Sequence, residues 1–174
     1  KSVVAGNTTA SNLEGYIYVA MNSIHQGAVT FTGQNVGAKK YDRISKVCGA
    51  SLVAVAGIGL ALGGFLMLAK DWLFRIYTSD DAVIAAAGLR SSIIAPTYFL
   101  CGMMEVMVGL LRGMGSSVTP MVGSILGACV LRIIWILTIF PLNPTLPTLY
   151  LSYPVSWLIT FTAHTVCYAV IKNR

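Results

Sequence analysis

Apolar residues in this chain are gathered into long runs separated by short polar connections. Crossing the hydrocarbon core of a bilayer, about 30 Å thick, takes roughly 20 helical residues. Val47 to Ala69 and Leu149 to Ile171 reach that length without a charge. Ser91 to Leu111 is interrupted only by Glu105, and Val118 to Phe140 only by Arg132, so both still predict spans. A more polar stretch, from about Ser11 to Gln34, carries Glu14, Asn22, His25 and Gln26. Alone it fits a buried helix of a soluble protein, but its spanning neighbours leave it no aqueous fold to join. Five transmembrane helices are therefore predicted, over about residues 11–34, 47–69, 88–112, 118–140 and 149–171. The fold class is all-α, a polytopic membrane helical bundle.

The connections orient the bundle. Lys39, Lys40, Arg43 and Lys46 lie between the first two spans, and alternation puts Arg112, Lys172 and Arg174 on the same side. The other side receives Lys70, Arg75 and Arg90 together with Asp71, Asp80 and Asp81. Basic residues stay on the cytoplasmic side, so the chain runs from outside at its N-terminus to a cytoplasmic C-terminus, in the cytoplasmic (inner) membrane. Gly37 is expected to end the first helix in the left-handed conformation, and Asp42 to cap the second. Pro141, Pro144 and Pro147 make the last outer connection stiff. The pairs Gly59/Gly63, Gly109/Gly113 and Gly123/Gly127 have the spacing that lets helices approach closely in lipid, a packing signal.

Composition agrees. With 56% apolar and 10% charged side chains, the 174 residues cannot clothe a soluble domain's surface in charge. The net charge of +6 does not point to nucleic acid, because the basic residues sit in short blocks between apolar runs rather than interleaved with aromatics. Cys48, Cys101, Cys129 and Cys167 are single and widely spaced, which suggests neither a disulfide framework nor a zinc site, and they are expected to be small core residues. There is no secretory signal pattern. Lys1 stands where a start methionine would, so a fragment of a longer protein is expected.

Three spans carry polar stripes. Glu14, Tyr18, Asn22, His25 and Gln26 fall within roughly 120° of arc on a helix. Tyr98, Cys101, Gly102, Glu105, Gly109 and Arg112 do so in the third span, and Tyr153, Ser156, Trp157, Thr160 and His164 in the fifth. Lipid penalises such groups, so the stripes are expected to face one another across a cavity or interface. Glu105 is the leading candidate for chemistry, since a buried carboxyl can exchange a proton for a cation as its surroundings change. The plainer alternative is an ion pair with Arg112 or Arg132. Glu14 is expected nearer the outer end of its helix, within reach of water. Arg132 lies near the middle of the fourth span, where it can snorkel or pair. His25 and His164 have no ligand partners at metal spacing on their helices, so hydrogen bonding between helices is expected of them and no metal. Tyr16, Tyr18, Tyr98 and Trp157 can offer ring faces to flat organic cations or simply pack. No catalytic constellation is present in the sequence, which argues against an enzyme and leaves no catalytic residues.

Two segments carry a family resemblance. Gly33-Gln34-Asn35-Val36-Gly37-Ala38-Lys39-Lys40-Tyr41-Asp42-Arg43 and Leu111-Arg112-Gly113-Met114-Gly115-Ser116, followed by Pro120, resemble the second half of a multidrug and toxic compound extrusion (MATE) transporter. By themselves these residues have structural work: glycines allow tight turns, and Gln34 and Asn35 can satisfy carbonyls at a helix end. The resemblance implies helices eight to twelve of a twelve-helix protein, with the N-terminal lobe and the seventh helix as missing partners. Sodium-coupled members of the family place an acid about three turns before the Leu-Arg-Gly segment. That position is Cys101 here, with Glu105 one turn later on the same face. Glu14 belongs to a different helix from the family's second acid and does not inherit its role.

The expected function is thus part of a secondary active transporter exporting organic cations or drugs by antiport. Sodium or protons would be the coupling ion, and no other cofactor is called for. The expected partners are membrane lipid, the rest of the parent chain and a small organic cation. Glu105, Glu14, Cys101, Asn22 and Tyr98 are the candidate ion- or substrate-contacting residues. A lipid-linked saccharide flippase of the same superfamily, or a truncated non-transporting membrane remnant, are the alternatives.

Overall fold

The computed structural model describes residues 1–172, so Arg174, one of the basic residues counted on the cytoplasmic side, lies outside the described residues. The regular structure in that range is helical and forms five passages. The first is α1 (Ser2–Gly37) and the second α2 (Asp42–Tyr77). The third joins α3 (Asp81–Ile94) to α4 (Tyr98–Gly113) through a tight turn at Ala95–Thr97. The fourth runs from α5 (Val118–Ser124) through a π-helical stretch at Ile125–Val130 into α6 (Leu131–Thr138). The fifth is α7 (Leu146–Lys172).

Asp42–Tyr77, Asp81–Gly113, Val118–Leu142 and Leu146–Lys172 are long and apolar enough to cross a membrane. The more polar α1 is not among them. Its 36 residues still extend about 54 Å, ample for a bilayer, and it packs against α2, α3 and α4. Its buried residues, Gly6, Ala10, Glu14, Ile17, Met21, His25, Ala28 and Thr32, recur every three or four positions, so the polar stripe and the packing stripe partly coincide. The helices overrun their expected ends because the apolar windows stop at the first charge. Lys70, Asp71 and Arg75 continue α2 well past Ala69, as good helix formers with side chains that reach polar surroundings do.

The helix ends correct two expectations and explain both family segments. Gly37 remains helical, and the left-handed residue is Lys39, with φ of 56°. Lys40 N–H donates to the Asn35 carbonyl at 2.8 Å and Lys39 N–H to Val36 at 3.0 Å, the two bonds of a Schellman cap. The second segment closes α4 the same way. Ser116 N–H donates to Leu111, Gly115 N–H donates to Arg112, and Gly115 takes φ of 87°. Asn35 Nδ2 donates to the Phe31 carbonyl at 2.7 Å, whereas Gln34 is exposed and makes no side-chain bond among the described residues. Asp42 opens α2 within its first turn rather than capping it. Asp80 is the acid that caps, its Oδ1 accepting the Ala82 N–H at 2.9 Å.

The glycine pairs are where the passages touch. A Cβ on Gly59 would lie 2.8 Å from Phe99 Cα, and one on Gly63 would meet the Ala95 carbonyl. Gly109 and Gly113 press on α1, where a Cβ at Gly113 would stand 2.6 Å from Thr32 Cβ. Gly123 and Gly127 press on His164 and Thr160 of α7. α4 is therefore enclosed by α1, α2 and α7 and buried through most of its length. The fourth passage lies at the margin, with Pro120 and Gly127 as its buried residues. Of the cysteines only Cys101 is buried, and Cys129 is exposed, contrary to the expectation that all four are core.

Gly113→Ala is expected to destabilise the bundle by about 1–3 kcal/mol in detergent unfolding, since the added methyl meets backbone and a β-branched side chain. Gly64→Ala, where a Cβ meets nothing within 4 Å, should be neutral or stabilising by up to about 1 kcal/mol. Lys39→Gly should stabilise by about 1 kcal/mol by relieving the left-handed backbone.

Candidate functional site

The polar stripes of α1 and α4 meet at His25 and Glu105. The His25 Nδ1–H donates to the Glu105 carbonyl at 2.6 Å, while the Glu105 carboxylate Oε2 lies 3.8 Å from the same nitrogen. A carbonyl can only accept, so Nδ1 carries the proton. Gly109 makes room for this contact. A Cβ there would stand 3.1 Å from His25 Nδ1 and 2.9 Å from the His25 carbonyl. Glu105 keeps a quarter of its side chain exposed, whereas that of His25 is 4% exposed. Tyr18 and Cys101 lie within electrostatic range of Glu105, and half-buried Asn22 sits on α1 between Tyr18 and His25.

A second centre lies toward the other end of the bundle. Glu14 is 3% exposed and accepts two bonds from Arg90 of α3, Nε to Oε1 at 3.1 Å and Nη2 to Oε2 at 2.8 Å. This corrects the expectation of a water-exposed acid. Because α1 begins at Ser2, Glu14 is more than three turns inside the helix. It also moves Arg90, counted above among outer-side charges, into the bundle. The Arg90 guanidinium lies 5.9 Å from the Tyr150 ring and 5.4 Å from the Tyr153 ring, and Tyr150 Oη donates to Asn7 Oδ1 at 2.7 Å. On α6, half-buried Arg132 stands 4.2 Å from the Tyr153 ring centre, and its Nε donates to Ser156 at 3.0 Å. Trp157 packs edge-on against both Tyr98, at 5.4 Å, and Tyr153, at 5.9 Å.

The alternative for Glu105, an ion pair with Arg112 or Arg132, is not formed. Arg112 is exposed at the end of α4, and Arg132 reaches across to α7 instead. Both histidines do bond between helices: His164 Nε2 lies 3.2 Å from the Pro120 carbonyl of α5. Tyr98 and Trp157 pack in the interior, while Tyr16 is exposed. Glu105, Cys101 and Tyr18 thus share one region and Tyr98 borders it, Asn22 lies one turn from Tyr18 along α1, and Glu14 serves the neighbouring ion pair.

Three passages are irregular beside these residues. Pro96 has no N–H for the Ser92 carbonyl, and the Thr97 hydroxyl bridges the loosened turn by bonding the Ile93 and Ile94 carbonyls at 3.1 and 3.0 Å, just before Tyr98. The π-helical stretch ends two residues before Arg132, and Pro154 follows Tyr153 directly. Such departures are tolerated at membrane depth where backbone is enclosed by protein or lines a cavity.

The sequence pattern that defines the MatE family matches residues 1–138. The chain belongs to the MatE family. It is 25% identical over 118 residues to a probable multidrug resistance protein, NorM, of Thermotoga maritima, covering 68% of this chain and 25% of that protein. It is 25% identical over 113 residues to the multidrug resistance protein PmpM of Pseudomonas aeruginosa, covering 65% and 24%. The fold superposes on the MATE transporter ClbM, solved in complex with Rb+, with a TM-score of 0.83 at 18% identity, over 98% of this chain and 39% of that one. The chain spans about a quarter of the length of the curated relatives it matches.

The two MatE segments touch: the carbonyl of Gly113 lies 3.8 Å from where a Cβ on Gly33 would be. They therefore lie beside each other at the ends of α1 and α4, past His25 and Glu105 along each helix. Arg90 is the residue the sequence concealed. Its position at the edge of an apolar window made it resemble a loop charge, and the available signal was Glu14, a carboxylate in need of a cation. Glu14→Gln is expected to destabilise the bundle by about 3–5 kcal/mol by leaving Arg90 buried and unpaired, and Glu14→Leu with Arg90→Met to recover most of that loss in the same unfolding measurement.

Proposed function

We propose that this MatE chain forms the larger part of one lobe of a secondary active exporter. The exporter carries organic cations or drugs out of the cell in exchange for sodium ions or protons. One observation carries the reading: Glu105 is a carboxylate within a membrane bundle that no arginine among the described residues neutralises and that retains access to its surroundings. Lipid would penalise such a charge, so it is held for an ion or a charged substrate to engage. His25 holds the backbone beneath it, and Tyr18 and Cys101 lie within electrostatic range of it. The names of its multidrug resistance relatives favour drugs as cargo, and Rb+ in the complex of the structural neighbour is consistent with a monovalent coupling ion.

In this reading the end of the bundle bearing Lys39, Lys40, Arg43, Lys46 and Arg112 faces the cytoplasm of an inner membrane. Burial of Arg90 leaves Lys70 and Arg75 as the other end's basic residues in that count, which sharpens the asymmetry. The opposing lobe and the preceding helix supply the facing wall, since alternating access requires one bundle to move against another. The proton or sodium ion and the cationic cargo would then compete for one carboxylate, so that binding of the ion drives release of the cargo.

Glu105→Gln in the full-length protein is expected to abolish ion-driven efflux of a cationic dye, a loss of tenfold or more by order of magnitude, with membrane insertion unchanged. Efflux that stays undiminished and still depends on the ion gradient would remove Glu105 from the mechanism.

A further inference from the structure

The second polar centre does not balance its charges. Arg90 and Arg132 both place their guanidinium carbons within 6 Å of the centre of one tyrosine ring, Tyr153, at 5.4 and 4.2 Å. A single carboxylate, Glu14, serves the pair, and Arg90 occupies both of its oxygens. Among the described residues Arg132 has no acid within 4.0 Å, and of its five N–H donors only that of Nε has a partner, the Ser156 hydroxyl. The neutral partners that hold Arg132 fix its orientation: Tyr153 beneath it, Ser156 at its inner edge and Trp157 6.0 Å away. A guanidinium over an aromatic ring, with its other N–H groups unpartnered among the described residues and its side chain half-buried, is available for two-point contact with a planar oxyanion.

We propose that Arg132 is a substrate-binding residue that takes a carboxylate borne by the transported molecule, so that this wall favours zwitterions over simple cations. The inference rests on the exporter reading and deepens it. Glu105 on α4 is offered to the positive group or the coupling ion, and Arg132 on α6 to the negative group. Cys101, on the stretch of α4 between them, lies within electrostatic range of both. A cargo carrying both charges would cancel the surplus positive charge around Tyr153, which a cation would increase. The aromatic edges of Tyr153 and Trp157 beside the guanidinium suit a carboxylate attached to a ring.

The test is equilibrium binding, by fluorescence anisotropy, of two xanthylium dyes to the purified full-length protein in detergent: one with a free aromatic carboxylate, the other its methyl ester. The wild type should prefer the free carboxylate. Arg132→Gln should weaken that dye by about tenfold or more while leaving the ester unchanged, and Arg132→Lys, which keeps the charge without the planar fork, should fall between. Equal loss for both dyes, or no loss for either, overturns the assignment and makes Arg132 a packing or internal-pairing residue. If Arg132→Gln fails to fold, the wild-type preference together with Arg132→Lys decides by the same criteria. A wild type that binds the ester but shows no preference for the carboxylate overturns this proposal and leaves the exporter reading intact. Binding of neither dye counts against both.

Discussion

A charge removed from water must find its opposite, and the Glu14–Arg90 pair is where this bundle meets that requirement most completely. Both side chains are nearly withdrawn from the surface, and the carboxylate accepts from two nitrogens of one guanidinium. The pair ties α1 to α3, and α7 is drawn in because Tyr150 and Tyr153 supply ring faces to the same cation. With one acid spent in this way, Glu105 and Arg132 are left, among the described residues, without an arginine or a carboxylate to pair with, and Glu105 has only His25 beside it. The polar half of the bundle is organised around that inequality.

Much of the architecture was legible because the bilayer imposes it. Charge-free runs of spanning length in α2 and α7 admit one structure, and the glycine pairs identified contact faces before any partner was known. The edges were less legible. Helix ends in membranes lie in polar surroundings, where Lys70, Asp71 and Arg75 prolong a helix that hydropathy would terminate. Gly37 was credited with the left-handed cap because glycine adopts it most cheaply, yet the hydrogen-bond register places Lys39 there. Backbone register is a property of three-dimensional closure, and residue type alone does not reveal it.

The candidate site was legible as faces but not as partnerships. A helical arc of polar residues in α1 and another in α4 correctly implied that the two meet. Which acid would be neutralised was not available from either helix, because Glu14 and its cation are separated by most of α1, all of α2 and more than half of α3. The obvious local candidate, Arg112, shares a helix with Glu105 but sits exposed at its end. Long-range pairing overturned one expectation: the acid thought to lie within reach of water, Glu14, is locked against Arg90.

α1 and α4 meet over Gly109 and Gly113 with no side chains between them on the α4 side, and a methyl group at either position would collide with α1. Longer side chains at an interface can change rotamer and let helices slide, but backbone against backbone offers no such compliance. The two helices therefore behave mechanically as a single rigid plate, clamped at one end by the joined family segments. Glu105 is mounted on α4 and Arg132 on α6, so a displacement of the fourth passage against α4 would alter the distance between these two charges.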